Sequence, residues 1–157
     1  MKSWKELSRG YYCYADKYVN FLYNAIRRDG KYIMEMKFYR CKVCGQIIAI
    51  VKQTKVPLMC CGKMMEEIIP GEVDASSEKH VPVWKVLDGV VEVKVGSVEH
   101  PMIEEHYIEW IALQTKKGNQ RVKLNPNDAP VAHFAILPGD EVLAVYAYCN
   151  LHSLFKG

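Results

Sequence analysis

The sequence predicts a mainly β protein in three parts: an N-terminal helical arm, a small module too poor in apolar residues to hold itself together, and an antiparallel β-sandwich. Three observations predict this. Six short apolar runs separated by turn signals follow Gly71, two cysteine pairs stand in a core-poor stretch before it, and a capping box opens the chain. At 157 residues, half of them apolar, the chain can bury one medium-sized core and a small satellite, not two full hydrophobic domains.

The arm occupies residues 1–37. Ser3-Trp4-Lys5-Glu6 pairs a hydroxyl with a carboxylate three residues on, so each side chain can satisfy a backbone N–H of the other. Apolar and aromatic residues at Trp4, Leu7, Tyr11, Tyr14, Tyr18, Phe21 and Ala25 then line one helical face up to Asp29-Gly30, which reads as a helix stop. Such a stripe packs on the rest of the fold or on a second subunit. Residues 1–40 also hold nine Lys and Arg against four Asp and Glu, a net +5, so docking to a nucleic acid or a protein partner stays open for the arm.

Residues 38–70 carry Cys41, Cys44, Cys60 and Cys61 among short β-branched runs such as Ile47–Val51, with Gly45 and Gly62 beside the pairs. A module of this composition needs a metal to hold it. Residues 71–157 read as strands at 81–86, 90–95, 106–113, 121–124, 131–137 and 141–148. Asp88-Gly89, Lys117-Gly118-Asn119, Asn125-Pro126-Asn127-Asp128 and Pro138-Gly139-Asp140 supply turns between them. This spacing argues for an antiparallel, immunoglobulin-like sandwich.

The net charge of +3 demands no polyanionic partner, and no apolar run reaches the roughly 20 residues of a membrane span. No signal segment opens the sequence, which reads as cytoplasmic. Cytosolic thiols stay reduced, so the six cysteines are metal ligands before they are disulfides. Cys13 lies outside the pairs as a free thiol on the helix.

Cys41-Lys42-Val43-Cys44 and the vicinal Cys60-Cys61 give four thiolates, enough to close a tetrahedral shell and leave no open position. Such a site serves structure or electron transfer. Thiolates accept zinc as readily as iron, and an adjacent pair should strain the tetrahedron. Cys149-Asn150-Leu151-His152 places a thiolate and an imidazole three apart after a long apolar strand. By spacing alone, His80, His100 and His106 each read equally well as ligands and as ordinary turn histidines.

The strings Glu78-Lys79-His80-Val81-Pro82, Gly96-Ser97-Val98-Glu99-His100-Pro101-Met102, His106-Tyr107-Ile108-Glu109-Trp110-Ile111 and Cys149-Asn150-Leu151-His152 resemble the superoxide reductase family. Cys41, Cys44, Cys60 and Cys61 resemble the desulforedoxin module of its two-iron members, the desulfoferrodoxins, and the likeness covers about residues 38–157. It implies a neelaredoxin-like catalytic domain in which His80, His100, His106 and His152 are equatorial ligands of one iron and Cys149 its axial thiolate. It further implies a rubredoxin-like iron on the four cysteines, with zinc as the alternative there. Lys79 would sit over the open iron position and Glu78 could occupy it.

The reaction implied is one-electron reduction of superoxide to hydrogen peroxide in an anaerobe's oxidative defence. Electrons would come from rubredoxin or a similar donor, and the likeness implies a homodimer built through the desulforedoxin module, with no membrane or nucleic-acid partner. His133 matches no ligand and reads as structural. Ser153 and Phe155 depart from the glycine and tryptophan usual in the family. The competing reading, from a different class, is a zinc-stabilised module that binds nucleic acid or protein.

Overall fold

Alternation and turn chemistry account for most of the observed elements. The computed structural model describes residues 25–28, 31–73 and 75–157. Two units are distinguished, Met1–Glu35 and Met36–Gly157.

In the first, β1 (Ala25–Arg28) and β2 (Lys31–Met34) pair antiparallel, with Ala25 opposite Met34 and Arg28 opposite Lys31. This corrects the helical reading at its C-terminal end. Asp-Gly between two short runs with β-branched residues is the sequence signature of a two-residue hairpin as much as of a helix stop. The rest of the predicted helix, from Ser3 onward, and Cys13 lie outside the described residues.

The second unit opens with β3 (Phe38–Arg40), β4 (Ile47–Ala49), β5 (Met59–Cys60), β6 (Lys63–Met64) and β7 (Glu66–Glu67). These form a three-stranded sheet in the order β4-β3-β7 and a β5-β6 hairpin. One helical turn, α1 (Ser77–His80), precedes β8 (Pro82–Leu87), β9 (Val90–Val95), β10 (Ile108–Thr115), β11 (Asn119–Lys123), β12 (Val131–Ala135), β13 (Val142–Cys149) and β14 (Ser153–Lys156). The sheets β12-β9-β8 and β11-β10-β13-β14 are antiparallel throughout. β14 was not anticipated. Among the described residues no helix is long and apolar enough to cross a membrane.

Val91, Val93 and Val95 of β9 and Phe134 of β12 meet Ile108, Ile111, Leu113, Val145, Ala147 and Cys149 in the first core, drawn from both sheets. The opposite face of β10 and β13 is buried too. Trp110, Ala112, Ala144, Tyr146 and Tyr148 pack there with Leu154 and, from the cysteine module, Phe38 and Ile68. Phe38 lies 4.9 Å from Trp110 and 5.5 Å from Tyr146, ring centre to ring centre. Strands covered on both faces read as continuous apolar runs, as Val142–Cys149 does.

An irregularity in the β10–β13 register sets which residues face which core. Ile108 pairs with Cys149 and Trp110 with Tyr148, so Glu109 is an extra residue on β10. The bulge turns Ile108 to the same side as Ile111 and Leu113, and it sits beside Cys149, where it bends the strand end.

Candidate metal centres

In the cysteine cluster the four Sγ atoms lie within 4.8 Å of one another. Cys44 and Cys60 are 3.7 Å apart and Cys60 and Cys61 3.9 Å, sulfur to sulfur. A tetrahedral shell with bonds of about 2.3 Å spaces its sulfurs about 3.8 Å apart, so the donors fit a four-coordinate metal. Backbone conformation makes this possible. The Gly45 N–H donates to the Cys41 carbonyl at 2.9 Å with Gly45 at φ +76°, where a Cβ is disfavoured. The vicinal pair converges because Cys61 adopts φ +50°, a left-handed conformation that costs a non-glycine residue about 1–2 kcal/mol. Cys41 is buried while Cys44 and Cys61 are exposed. Backbone N–H groups of Cys44 and Val43 pull the Cys41 thiol down to about 7, favouring the thiolate.

The second cluster gathers His80, His100, His106, Cys149 and His152, again within 4.8 Å. The first and last of them lie 72 positions apart in the chain, and four elements deliver them. α1 carries His80, the loop after β9 carries His100, the segment before β10 carries His106, and β13 with its following turn carries Cys149 and His152. The imidazoles form a ring of four. Neighbours His80–His100, His100–His106, His106–His152 and His152–His80 are 4.6, 4.6, 4.8 and 4.6 Å apart and 74–80° to one another. The opposite pair His80–His106 is 6.0 Å apart at 27°.

Orientation of the rings points their free nitrogens inward. His80 donates Nδ1–H to the Ser76 carbonyl at 2.7 Å, and His100 does so to the Pro101 carbonyl at 2.6 Å, which leaves Nε2 of each as a lone pair. Nε2 of His100 and of His106 are buried without a hydrogen-bond partner. Two orphaned nitrogens in one cluster are donors that a bound cation would satisfy. His80 Nε2 and His152 Nδ1 approach to 2.9 Å, a separation suited to one shared proton or to two lone pairs on a common ion. Cys149 Sγ lies 3.6 Å from His152 Nδ1. Burial, the largest influence on each, pushes His80, His100 and His106 toward the neutral form, His100 to about 4. Neutral imidazoles are what a metal binds. Burial raises the Cys149 thiol, so its thiolate needs a cation.

Glu78 and Lys79 are exposed on α1, directly before buried His80. Lys79 and His100 line a cleft with Glu99, Pro101, Asn127 and Asp128. The turn is held from the neighbouring loop: Gly96 N–H donates to Val81 O at 3.1 Å and Val98 N–H to Glu78 O at 3.0 Å. Gly96 sits at φ +78°, and a Cβ there would come within 2.6 Å of the Lys79 carbonyl oxygen. His133 stands away from the cluster on β12, 4.0 Å from Glu92 on the adjacent strand. Phe155 was not singled out for contact with a ligand, yet it stacks on His80 at 4.7 Å and 24°. Ser153 occupies φ +67°, which explains why glycine suits that position.

Both donor groups fit mononuclear iron, the first by thiolates alone and the second by imidazoles and one thiolate. The desulfoferrodoxin family model matches residues 72–157, and the model of the desulfoferrodoxin N-terminal domain matches residues 34–68. The desulfoferrodoxin of Syntrophotalea carbinolica is 44% identical over 123 residues, covering 78% of this chain and 95% of that protein. That of Nitratidesulfovibrio vulgaris is 41% identical over 122 residues, covering 78% and 95%. The crystal structure of the superoxide reductase from Treponema pallidum is 36% identical, covers 78% of this chain and 97% of its own, and superposes with a TM-score of 0.67. With one family model spanning more than half of its length and each donor cluster inside a matched segment, the chain belongs to the desulfoferrodoxin family.

Proposed function

We propose that this chain is a superoxide reductase, converting superoxide to hydrogen peroxide at a mononuclear iron ligated by His80, His100, His106, His152 and Cys149. The observation that carries the reading is the ring of four inward-facing imidazoles, two of them with orphaned buried nitrogens, beside a buried thiol. Iron bound there would supply the single electron that, with two protons, turns superoxide into hydrogen peroxide.

The chain's own residues do the rest. Neutral imidazoles and one thiolate leave a divalent cation with one net charge to spare for an anionic substrate. Lys79, exposed beside the cleft, puts positive charge where an anion must arrive, and a charged rim raises association rates by roughly one to three orders of magnitude. We assign it that role, together with holding a water for protonation. Glu78, its neighbour on the same turn, is assigned as the carboxylate that would hold the iron once product has left.

Cys41, Cys44, Cys60 and Cys61 are assigned as ligands of a second iron, and residues 38–70 and 71–157 as its module and an immunoglobulin-like catalytic domain. The exposed sulfurs of Cys44 and Cys61 suit electron entry from a rubredoxin-like donor. A cytoplasmic homodimer in an anaerobe completes the reading, on the family likeness.

Metal analysis and pulse radiolysis test it together. Two irons per chain, and growth of the sulfur-to-iron(III) absorption of the histidine centre in step with superoxide loss, are expected. Zinc in the histidine cluster, or iron there that does not react with superoxide, refutes the reading.

A further inference from the structure

We infer that Asn150 is the positioning residue for His106, supplying from outside the ring the constraint that His80 and His100 provide for themselves. Those two rings fix tautomer and tilt through Nδ1–H bonds to the carbonyls of Ser76 and Pro101. The His106 ring makes no hydrogen bond among the described residues, and its Nε2 is buried and orphaned. Its backbone closes only a two-residue bridge with Ile103, at 3.1 and 3.0 Å, in a segment whose residues Ile103, Glu104 and Glu105 are exposed. Left to that bridge, the ring would have no fixed direction.

Asn150 grips the chain on both sides of His106. The Tyr107 N–H donates to Asn150 Oδ1 at 3.0 Å, and Asn150 Nδ2 donates to the Glu105 carbonyl at 3.0 Å. The Asn150 N–H adds a bond to the Tyr107 carbonyl at 3.2 Å. One carboxamide thus accepts from the residue after the histidine and donates to the residue before it. A carboxylate can do only the first, and a hydroxyl is too short to reach both. Asn150 directly follows Cys149 and stands two residues before His152, so the same side chain ties three of the five donors into one piece. Partners of this outer kind typically change metal affinity by about 10–100-fold when removed.

The inference rests on the five-donor metal reading, and the experiment separates the two. In fully loaded protein, iron release to a chelator is followed at both centres, the four-cysteine iron serving as internal reference. Asn150→Ala is expected to speed release from the histidine cluster by about ten-fold and to shift the sulfur-to-iron absorption band, while the reference iron is unaffected. Asn150→Asp, which keeps the acceptor for Tyr107, falls between. Unchanged release, or equal acceleration at both centres, overturns the inference. Imidazole NMR of the metal-free protein gives an arm independent of iron: Asn150→Ala should broaden the His106 ring signals while those of His80 and His100 stay sharp. All three rings sharp, or all three broadened, counts against Asn150. If the wild-type cluster holds no iron, the metal reading alone fails and the NMR arm still decides.

Discussion

The cysteine cluster sits in two short segments of one small module, its donors within 21 residues of chain, whereas the histidine cluster draws on four elements and is walled by the sandwich core. Cys44 and Cys61 are exposed, while His80, His100 and Cys149 are buried. Local spacing builds the first site, and the sequence must only supply thiolates and tolerate positive φ at Gly45, Cys61 and Gly62. The second depends on tertiary structure: Cys149 ends a strand buried on both faces, and the bulge at Glu109 sets the strand beside it. A closed, accessible shell suits electron exchange, and a largely buried one with orphaned donors suits binding of a small reactant.

The sharpest way to break that comparison is to remove one sulfur from the buried cluster. Cys149→Ser should abolish the sulfur-to-iron(III) absorption of the histidine centre and cut its reaction with superoxide at least ten-fold, while the four-cysteine spectrum stays unchanged. Coupled loss of both spectra would mean that the two regions are one metal unit. Next in size is Lys79→Ala. About ten-fold slower reaction with superoxide and a flatter ionic-strength dependence are expected, with iron retained, because steering acts on association and not on ligation. An unchanged salt slope in pulse radiolysis would leave Lys79 an ordinary solvated surface residue.

Proton competition sharpens the comparison further. Burial lowers His80, His100 and His106 below the 6.5 of an unfolded histidine, His100 to about 4. Between those values the unfolded chain binds more protons than the folded one, so the contribution of these histidines to stability falls as the pH drops through that window and is constant above it. Cys41, lowered to about 7 from 9.0, places its contribution on the alkaline side, growing as the pH rises from about 7 to 9. Thermal melts of metal-free protein should therefore lose on the order of 5 °C between pH 6.5 and 4. His100→Asn should remove part of that acid slope and leave the slope above pH 7 intact. A melt independent of pH below 6.5 would show that the rings are already hydrated.

Much of this was readable from residue types, because thiolates and imidazoles are the chemistry itself and their order along the chain survives any folding detail. The six strand-like runs after Gly71 each correspond to a strand, with boundaries shifted by up to two residues. The sequence does not mark β14 because Leu154, in the second core, and Phe155, against His80, are both buried, so alternation is lost. The groups that aim the rings were also unreadable. Ser76 and Pro101 act through carbonyl oxygens that every residue possesses, and Gly96 matters because of its positive φ and the Val98 and Lys79 carbonyls lying across from it. At Asp29-Gly30 the sequence was ambiguous in a physical sense, since the same dipeptide ends helices and turns hairpins.

The smallest expected effect concerns backbone strain, which the two clusters share. Cys61 and Ser153 both adopt left-handed φ, +50° and +67°, each beside a donor. At Cys61 the strain cannot be relieved without losing a sulfur. At Ser153 it can: the residue closes the turn from Cys149 to β14, and its partner in register is Cys149. Ser153→Gly removes a left-handed penalty of about 1 kcal/mol and returns part of it as added freedom of the unfolded chain. A net gain of about 0.5 kcal/mol in urea denaturation is expected, with iron release from the histidine cluster unchanged. If stability rises but iron leaves faster, the strained serine is helping to hold the Cys149 turn in its ligating shape. In that event the buried centre depends on local geometry as much as the exposed one does.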